Sequence, residues 1–263
     1  MLLDFIDQKI RKAFSDAAFE YDLLTSLHKE IGRELIKKVI AHEPAEAVLD
    51  IGMGTGWLTS RIKFYLPESK IVGIDFADGM VKIAKDQWAD LDIIQANALK
   101  LPFKDRQFDL VTSNLSLQWA KDLSATFSEC QRCLKEGGSI YGTVFGYETF
   151  RELFTALEHA HKLKKGSDDL NIQRLKSVKE IEAALGSSGF KDIQLDHEII
   201  KVHFGDMFRL VKWIKDIGAN ALAKQAFIGK DLLDLANEYY EKNYKDKFGV
   251  STTFEVIWVQ ATK

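Results

Sequence analysis

The stretch Ala47-Val48-Leu49-Asp50-Ile51-Gly52-Met53-Gly54-Thr55-Gly56-Trp57 decides the fold. Its first five residues are a short apolar run, bounded at once by glycine, as expected of a buried strand. From Trp57 the apolar residues fall at helical spacing as far as residue 66. A glycine loop therefore joins a strand to a helix. Without Cβ atoms such a loop lets backbone N–H groups approach a ligand closely.

The pattern continues outward. Residues 70–75 are another apolar run and end in Asp75, and 79–88 are helical. Residues 92–97 and 108–114 have strand character. Residues 123–134 suit a helix stopped by Gly137-Gly138, followed by a strand over 139–145. Short apolar strands alternating with helices predict a parallel sheet covered on both faces. The later chain predicts helices over 148–165, from Ser177 to Gly186 or Gly189, over 205–223 and over 230–244, with strands over 192–204 and 252–262. Ser177 and Glu180 have capping-box spacing. The three prolines, Pro44, Pro67 and Pro102, each fall between periodic segments and mark loops. The expected architecture is one α/β domain over 1–263, with a doubly wound, Rossmann-like sheet. An N-terminal helical cap covers 1–45, and helical insertions lie near 147–176 and 205–250. Both insertions follow strands, at the sheet edge where open α/β folds bind ligands.

Composition narrows the functional classes. The chain has 263 residues, 46% of them hydrophobic, enough for a sizeable core. A net charge of -3 speaks against a nucleic-acid partner. The lack of a long apolar run speaks against a membrane span. The start, MLLDFIDQKIRKAF, reads as an amphipathic helix and not as a signal peptide, so a cytoplasmic location is expected. Cys130 and Cys133 form a C-x-x-C pair inside a helical pattern. With no second ligand pair nearby they read as buried core residues, and no metal is expected. His159 and His161 lie on a helical stretch without convergent partners and read as surface residues.

The loop itself is G-x-G-x-G, from Gly52, Gly54 and Gly56. A dinucleotide fingerprint needs its last glycine one residue later, where Trp57 stands; a P-loop needs a following G-K-[ST]. Asp75, about 20 residues on, sits where an acid binds a ribose diol in nucleotide-binding α/β folds. A ribose acid beside a loop unsuited to pyrophosphate fits S-adenosylmethionine. Asp50 and the loop carbonyls offer acceptors to its ammonium.

These residues carry a resemblance. Asp50–Gly56 and Gly73-Ile74-Asp75-Phe76-Ala77-Asp78-Gly79-Met80 resemble the first two motifs of class I S-adenosylmethionine-dependent methyltransferases. Asn97-Ala98-Leu99-Lys100-Leu101-Pro102-Phe103 resembles the third, with Asn97 where family members often carry Asp; its amide oxygen would meet the adenine amino group. Phe108–Asn114 resembles the fourth, beside the methyl group. Cofactor contacts are thereby implied for Tyr21, Asp50, Gly52, Gly54, Gly56, Asp75, Phe76, Met80, Asn97, Ala98, Asn114 and Leu115. The resemblance implies a mostly parallel sheet with an antiparallel C-terminal strand. RNA methylation is disfavoured by the net charge, and Asn114 is followed by Leu115, not by the proline of an N-P-P-[YF] motif.

Four stretches are similar, more narrowly, to the malonyl-[acyl-carrier protein] O-methyltransferases of biotin synthesis. They are Ala13 to Asp22 with Tyr21, Ser113-Asn114-Leu115-Ser116-Leu117-Gln118-Trp119, Lys215-Asp216-Ile217-Gly218-Ala219-Asn220, and Thr253-Phe254-Glu255-Val256-Ile257, where Phe254 replaces the usual Tyr. The resemblance implies methyl transfer to the free carboxylate of a malonyl thioester on acyl carrier protein, or on coenzyme A. An ordinary carboxyl, with a pKa near ~4, is already an ionised nucleophile, so no general base is required. Substrate-orienting candidates are Tyr21, Gln118, Trp119 and Lys212. Tyr21 could equally close over the cofactor, Trp119 could be core, and Lys212 could be a solvated helix face. A carrier protein is acidic, so a basic docking surface is implied, with Lys162, Lys164, Lys165, Lys212 and Lys215 as its candidates. Two other readings stay open: a methyltransferase acting on another small molecule such as a quinone-like ring, and a cofactor-binding protein without activity.

Overall fold

The computed structural model describes residues 2–41, 45–167, 170, 172–219 and 229–263, with side chains from Gln8 onward. The expected loop at Pro44, the reach of a helix to residue 223, and Asn220 lie outside the described residues.

The glycine loop leaves β1 (Ala47–Ile51) and enters α4 (Trp57–Tyr65). β1 lies parallel to β2 (Lys70–Asp75) on one side and to β4 (Phe108–Asn114) on the other. β3 (Asp92–Gln95) extends β2, and β5 (Leu134–Phe145) extends β4, both in parallel. β8 (Gly249–Thr262) then runs antiparallel to β5 and is flanked by β6 (Lys191–Phe204), with the short β7 (Lys245–Asp246) pairing β8. The sheet order is β3-β2-β1-β4-β5-β8-β6. It reverses at β1/β4, which puts a crevice beyond the carboxyl ends of those strands.

Alternation along the strands divides the core. Leu49, Val72 and Val111 pack on one face with Phe127 of α6 (Leu123–Cys133) and Ile181 of α8 (Val178–Ser187). Val48, Ile71 and Leu110 pack on the other with Leu35 of α3 (Ser26–Ile40) and Ile62 of α4. Cys130 and Cys133 are buried, unbridged members of the first cluster, and burial pushes the Cys133 thiol up to about 11. α8 starts with the expected capping box, Ser177 and Glu180 answering each other's backbone N–H.

Gly137-Gly138 do not stop a helix. α6 ends at Cys133, and β5 already begins at Leu134. The β4–β5 register shifts between Phe108 and Leu110, Gly137 has φ +75°, and a Cβ on Gly138 would come within 2.9 Å of Asp109 O. The pair therefore forms an irregularity within a strand.

The cap consists of α1 (Leu2–Ala17), α2 (Tyr21–Leu24) and α3. α1 is tied to α5 (Asp78–Gln87): Arg11 Nε donates to Asp78 Oδ1 at 3.0 Å and Gly79 N to Ser15 Oγ at 3.2 Å. A Cβ on Gly79 would lie 2.3 Å from Ser15 O, so only glycine permits this approach. The insertions supply α7 (Arg151–Lys165), α9 (Met207–Asp216) and α10 (Lys230–Tyr244). Phe154, Leu210 and Tyr240 from these helices share a core with Phe145, Phe254 and Val250. Phe145 pairs with Val256 in the sheet, so that core stands at the carboxyl end of β5, beside the crevice.

Candidate cofactor and acceptor site

Positive backbone φ at Gly52 (+68°), Gly54 (+58°) and Gly56 (+83°) curls the loop back over the sheet edge. The three glycines serve different ends. A Cβ on Gly52 would lie 1.7 Å from Ser116 Oγ, because the turn after β4 crosses it there. A Cβ on Gly56 would lie 2.8 Å from the Trp88 ring, whose Nε1 donates to Thr55 O at 3.0 Å. Gly54 alone faces open space: its nearest neighbour would be Tyr21 Cε1 at 3.9 Å. So Gly54 is the position where a ligand can meet backbone, while Gly56 admits the indole.

Asp75 ends β2 beside that loop. Its Oδ2 accepts from Gly54 N at 2.9 Å and its Oδ1 from Ala77 N at 2.8 Å. Burial raises its pKa, and the backbone donors work against that rise. Asp50 is completely buried. Thr59 Oγ1 donates to its Oδ2 at 2.6 Å, whereas Oδ1 has no partner among the described residues. Burial pushes the Asp50 carboxyl up to about 7. A buried acceptor without a donor is costly, so Asp50 Oδ1 is built to receive one.

Three adjoining cavities surround these groups. The first holds about 940 Å³ of empty space, its open mouth included. Asp75, Phe76, Met80, Ala98, Leu99 and Trp119 are among its walls. The second runs past Asp50, Gly52, Thr55, His28 and Lys29. The third is largely apolar and aromatic, walled by Phe14, Phe145, Phe150, Leu175, Trp213 and Ile217, with Gln118, His28 and the Tyr21 phenol among its polar members. Tyr21 borders all three. Burial, with Asp75 and Asp22 nearby, raises its pKa, so the phenol stays protonated.

The structure brings together most of the residues singled out from sequence. Tyr21, Gly52, Gly54, Asp75, Phe76, Met80, Asn97, Ala98, Asn114, Leu115 and Trp119 line the first cavity. Asp50 lines the second and Gln118 the third. Asn97 Oδ1 already accepts from Leu99 N at 2.9 Å, so its amide oxygen holds the local turn as well. Asn114 is fixed from two sides, donating to His28 O at 3.0 Å and accepting from Thr143 Oγ1 at 2.8 Å. Leu115, with φ +50°, turns the chain between the first and third cavities. Trp119 stands at the wall with its ring edge on Phe14, centroids 5.4 Å apart.

Two residues fall elsewhere. Gly56 lines none of the three cavities, because Trp88 occupies its approach. Lys212 does not reach them either: its side chain is 74% exposed and pairs with Asp216 at 2.5 Å, one turn along α9. Lys164 is likewise paired, with Asp231 at 2.9 Å. His159 stacks on Tyr239, centroids 4.2 Å apart.

Sequence reasoning passed over His28, Lys29 and Asp22. Tyr21, Thr25 and His28 follow helical spacing, the signal that could have found the histidine. Asp22 Oδ1 accepts from Thr55 Oγ1 at 2.9 Å and pairs with Lys29 at 3.3 Å, which docks the cap on the glycine loop.

Comparison with known proteins agrees with this geometry. Residues 49–142 match the family described as "Methyltransferase domain". Among solved structures, YcgJ from Bacillus subtilis superposes with a TM-score of 0.61 at 19% identity, covering 88% of this chain and 98% of that one. Phosphoethanolamine N-methyltransferase 2 of Haemonchus contortus, in complex with S-adenosyl-L-methionine, gives 0.56 at 20% identity over 94% of this chain and 56% of that one. These two speak to fold alone. Fold, glycine loop and matched domain together define an S-adenosylmethionine-dependent methyltransferase of class I. Curated relatives narrow this. A malonyl-[acyl-carrier protein] O-methyltransferase of Nitrosospira multiformis is 31% identical over 98% of this chain and 90% of its own length. One from Geobacter sulfurreducens is 29% identical over 95% and 97%. The chain belongs to the malonyl-[acyl-carrier protein] O-methyltransferase family.

Proposed function

We propose that this enzyme methylates the free carboxylate of a malonyl thioester carried on acyl carrier protein, with malonyl-coenzyme A as the smaller carrier of the same group. The observation that supports it most is the third cavity, an apolar aromatic chamber opening beside the cofactor groups and containing very few polar atoms. A carboxylate there is stripped of water and aligned, which is the help this nucleophile needs.

The residues fit S-adenosylmethionine, as the unpartnered Asp50 Oδ1 and the open approach to Gly54 indicate. Asp75 would take the ribose hydroxyls, and Asp50 the ammonium. Lys29, on the wall of the second cavity, is the cation available to the cofactor's carboxylate. When bound, the cofactor supplies an electrophilic methyl group on a sulfonium. Tyr21, bordering all three cavities, separates cofactor from acceptor and excludes water. No side chain needs to remove a proton, so no general base is assigned. A ring acceptor such as a quinol has a phenolic proton to lose, near pKa ~10, and would call for one. Lys212 is not assigned to the substrate, given its exposed pairing with Asp216.

Mass spectrometry of malonyl-acyl carrier protein after incubation with enzyme and S-adenosylmethionine tests this reading. The malonyl group should gain one methyl as a base-labile ester. An unmodified malonyl group, with methylation of a quinol under the same conditions, would favour the ring-acceptor reading instead.

A further inference from the structure

We propose that His28 is the positioning residue for the acceptor's carboxylate, receiving it at the boundary of the second and third cavities. The inference deepens the malonyl-thioester reading and rests on it.

His28 is 9% exposed, and its Nδ1 is buried without a partner among the described residues. The ring is fixed by its neighbours. Its centroid lies 6.1 Å from Tyr21, 5.6 Å from Phe145 and 6.3 Å from Trp213, so it has little freedom to swing away. A buried polar group held like this, facing two cavities, waits for a ligand.

Charge decides which ligand. No lysine or arginine lines the third cavity, so a carboxylate entering it meets no permanent cation among the described residues. Its polar groups are His28, Gln118, the Tyr21 phenol and the indole N–H groups of Trp119 and Trp213, the last of which donates to Leu24 O. Gln118 Nε2 donates one of its two N–H groups to Leu115 O at 2.8 Å, and its Oε1 has no partner among the described residues. Amide, phenol and indole groups can donate a hydrogen bond but stay uncharged; of these groups only the imidazole can also become a cation. The second cavity differs, since Lys29 stands on its wall for the cofactor's carboxylate.

The ionisable groups around the ring are Tyr21 on α2, the Asp22–Lys29 pair and Asp50 on β1. Burial lowers the His28 pKa to about 4, so the ring is neutral at pH 7 without ligand. A bound carboxylate supplies the missing counter-charge, and the ring takes one proton from water as the acceptor enters. In the transfer, one carboxylate oxygen forms the O–CH₃ bond while the CH₃–S bond breaks, its electron pair staying on sulfur. No proton moves in that step. The ester carries no charge, so His28 returns its proton to water and holds the product less tightly. The imidazolium engages one oxygen and leaves the other free to attack.

Two measurements test this. In ¹⁵N-histidine NMR of the full chain at pH 7 with S-adenosylhomocysteine, His28 should show neutral nitrogen shifts. Adding malonyl thioester should turn them to those of an imidazolium; the methyl ester should not. A ring that stays neutral with malonyl thioester bound overturns the proposal. In kinetics, His28→Leu should raise the acceptor KM by about tenfold or more, as for a lost charged hydrogen bond, with S-adenosylmethionine Kd unchanged. His28→Gln, which keeps an N–H donor, should recover part of that loss. A weakened cofactor Kd with unchanged acceptor KM would place the ring on the cofactor's carboxylate and contradict the assignment. Should wild-type enzyme fail to methylate malonyl thioesters, the acceptor reading itself fails. Normal turnover with a neutral ring sinks the His28 assignment alone. The NMR arm uses wild-type protein, so a variant that misfolds does not remove the test.

Discussion

Asp75 holds two backbone donors with its two oxygens, which aims the carboxylate while keeping lone pairs for a ribose. Asp75→Ala should weaken S-adenosylmethionine binding by about 10- to 100-fold, the range for hydrogen bonds to a charged group, as measured by calorimetry. Asp50 makes a sharper claim. Its carboxyl, pushed up to about 7, is largely protonated below that value in the free protein. Since the raised pKa means the fold binds the proton more tightly than the unfolded chain, Asp50's contribution favours the fold at low pH. That contribution fades as pH rises from about 4 towards 7. A bound ammonium prefers the carboxylate. Cofactor affinity should therefore increase from pH 5.5 to pH 7.5, and Asp50→Asn should flatten that dependence. Lys29→Ala should raise the cofactor Kd while leaving acceptor KM in place, the reverse of the pattern expected at His28. Calorimetry and initial rates on one preparation separate the two.

At the scale of elements, the insertions are held by buried acids. Glu152, at the start of α7, accepts from Thr253 N at 2.9 Å and from Thr253 Oγ1 at 2.5 Å; Glu255 accepts from Glu148 N at 2.9 Å and from His197 Nδ1. Thr253 and Glu255 belong to β8, so these bonds fix α7 on the sheet and with it the third cavity's wall. Glu152→Ala leaves a buried N–H and hydroxyl unpaired and should cost about 2–3 kcal/mol of stability in denaturant titration. Glu152→Gln should cost less. In sequence Thr253-Phe254-Glu255 was marked by family resemblance alone, with nothing to indicate this clamp. The alternating elements from β1 to β5 were legible because each strand is a short apolar run bounded by turn residues. The Gly137-Gly138 irregularity was not, since a helix stop and a strand bulge use the same residues for the same conformational freedom. The site divided along the same line. Asp50, Gly52 and Gly54 sit in one short motif, with Asp75 about 20 residues on at the end of the next strand, and all could be found by spacing. The third cavity draws Phe14, Phe145, Leu175 and Trp213 from distant parts of the chain, so no spacing rule reports it. Lys212 shows the converse: charge and position in an insertion suggested it, but helix phase directs it to solvent.

For the whole molecule, the proposed function gives the cofactor the first and second cavities and the acceptor the third, which cap, sheet edge and insertions wall together. The cap closes over both through Tyr21, and Trp213 Nε1 of α9 donates to Leu24 O of α2 at 2.8 Å, linking insertion to cap. Among the described residues no helix is long and apolar enough to cross a membrane. A ligand that binds only the folded form must stabilise it, so S-adenosylmethionine at 100 times its Kd should add about 2.7 kcal/mol and raise the Tm. In the proposed function the accepting atom belongs to a free carboxylate. That assignment is tested most directly by comparing S-adenosylhomocysteine release with malonyl-acyl carrier protein and with acetyl-acyl carrier protein, which lacks that group. Steady release is expected with the malonyl carrier and only background with the acetyl carrier. Equal release with both, or none with the malonyl carrier, would contradict the assignment.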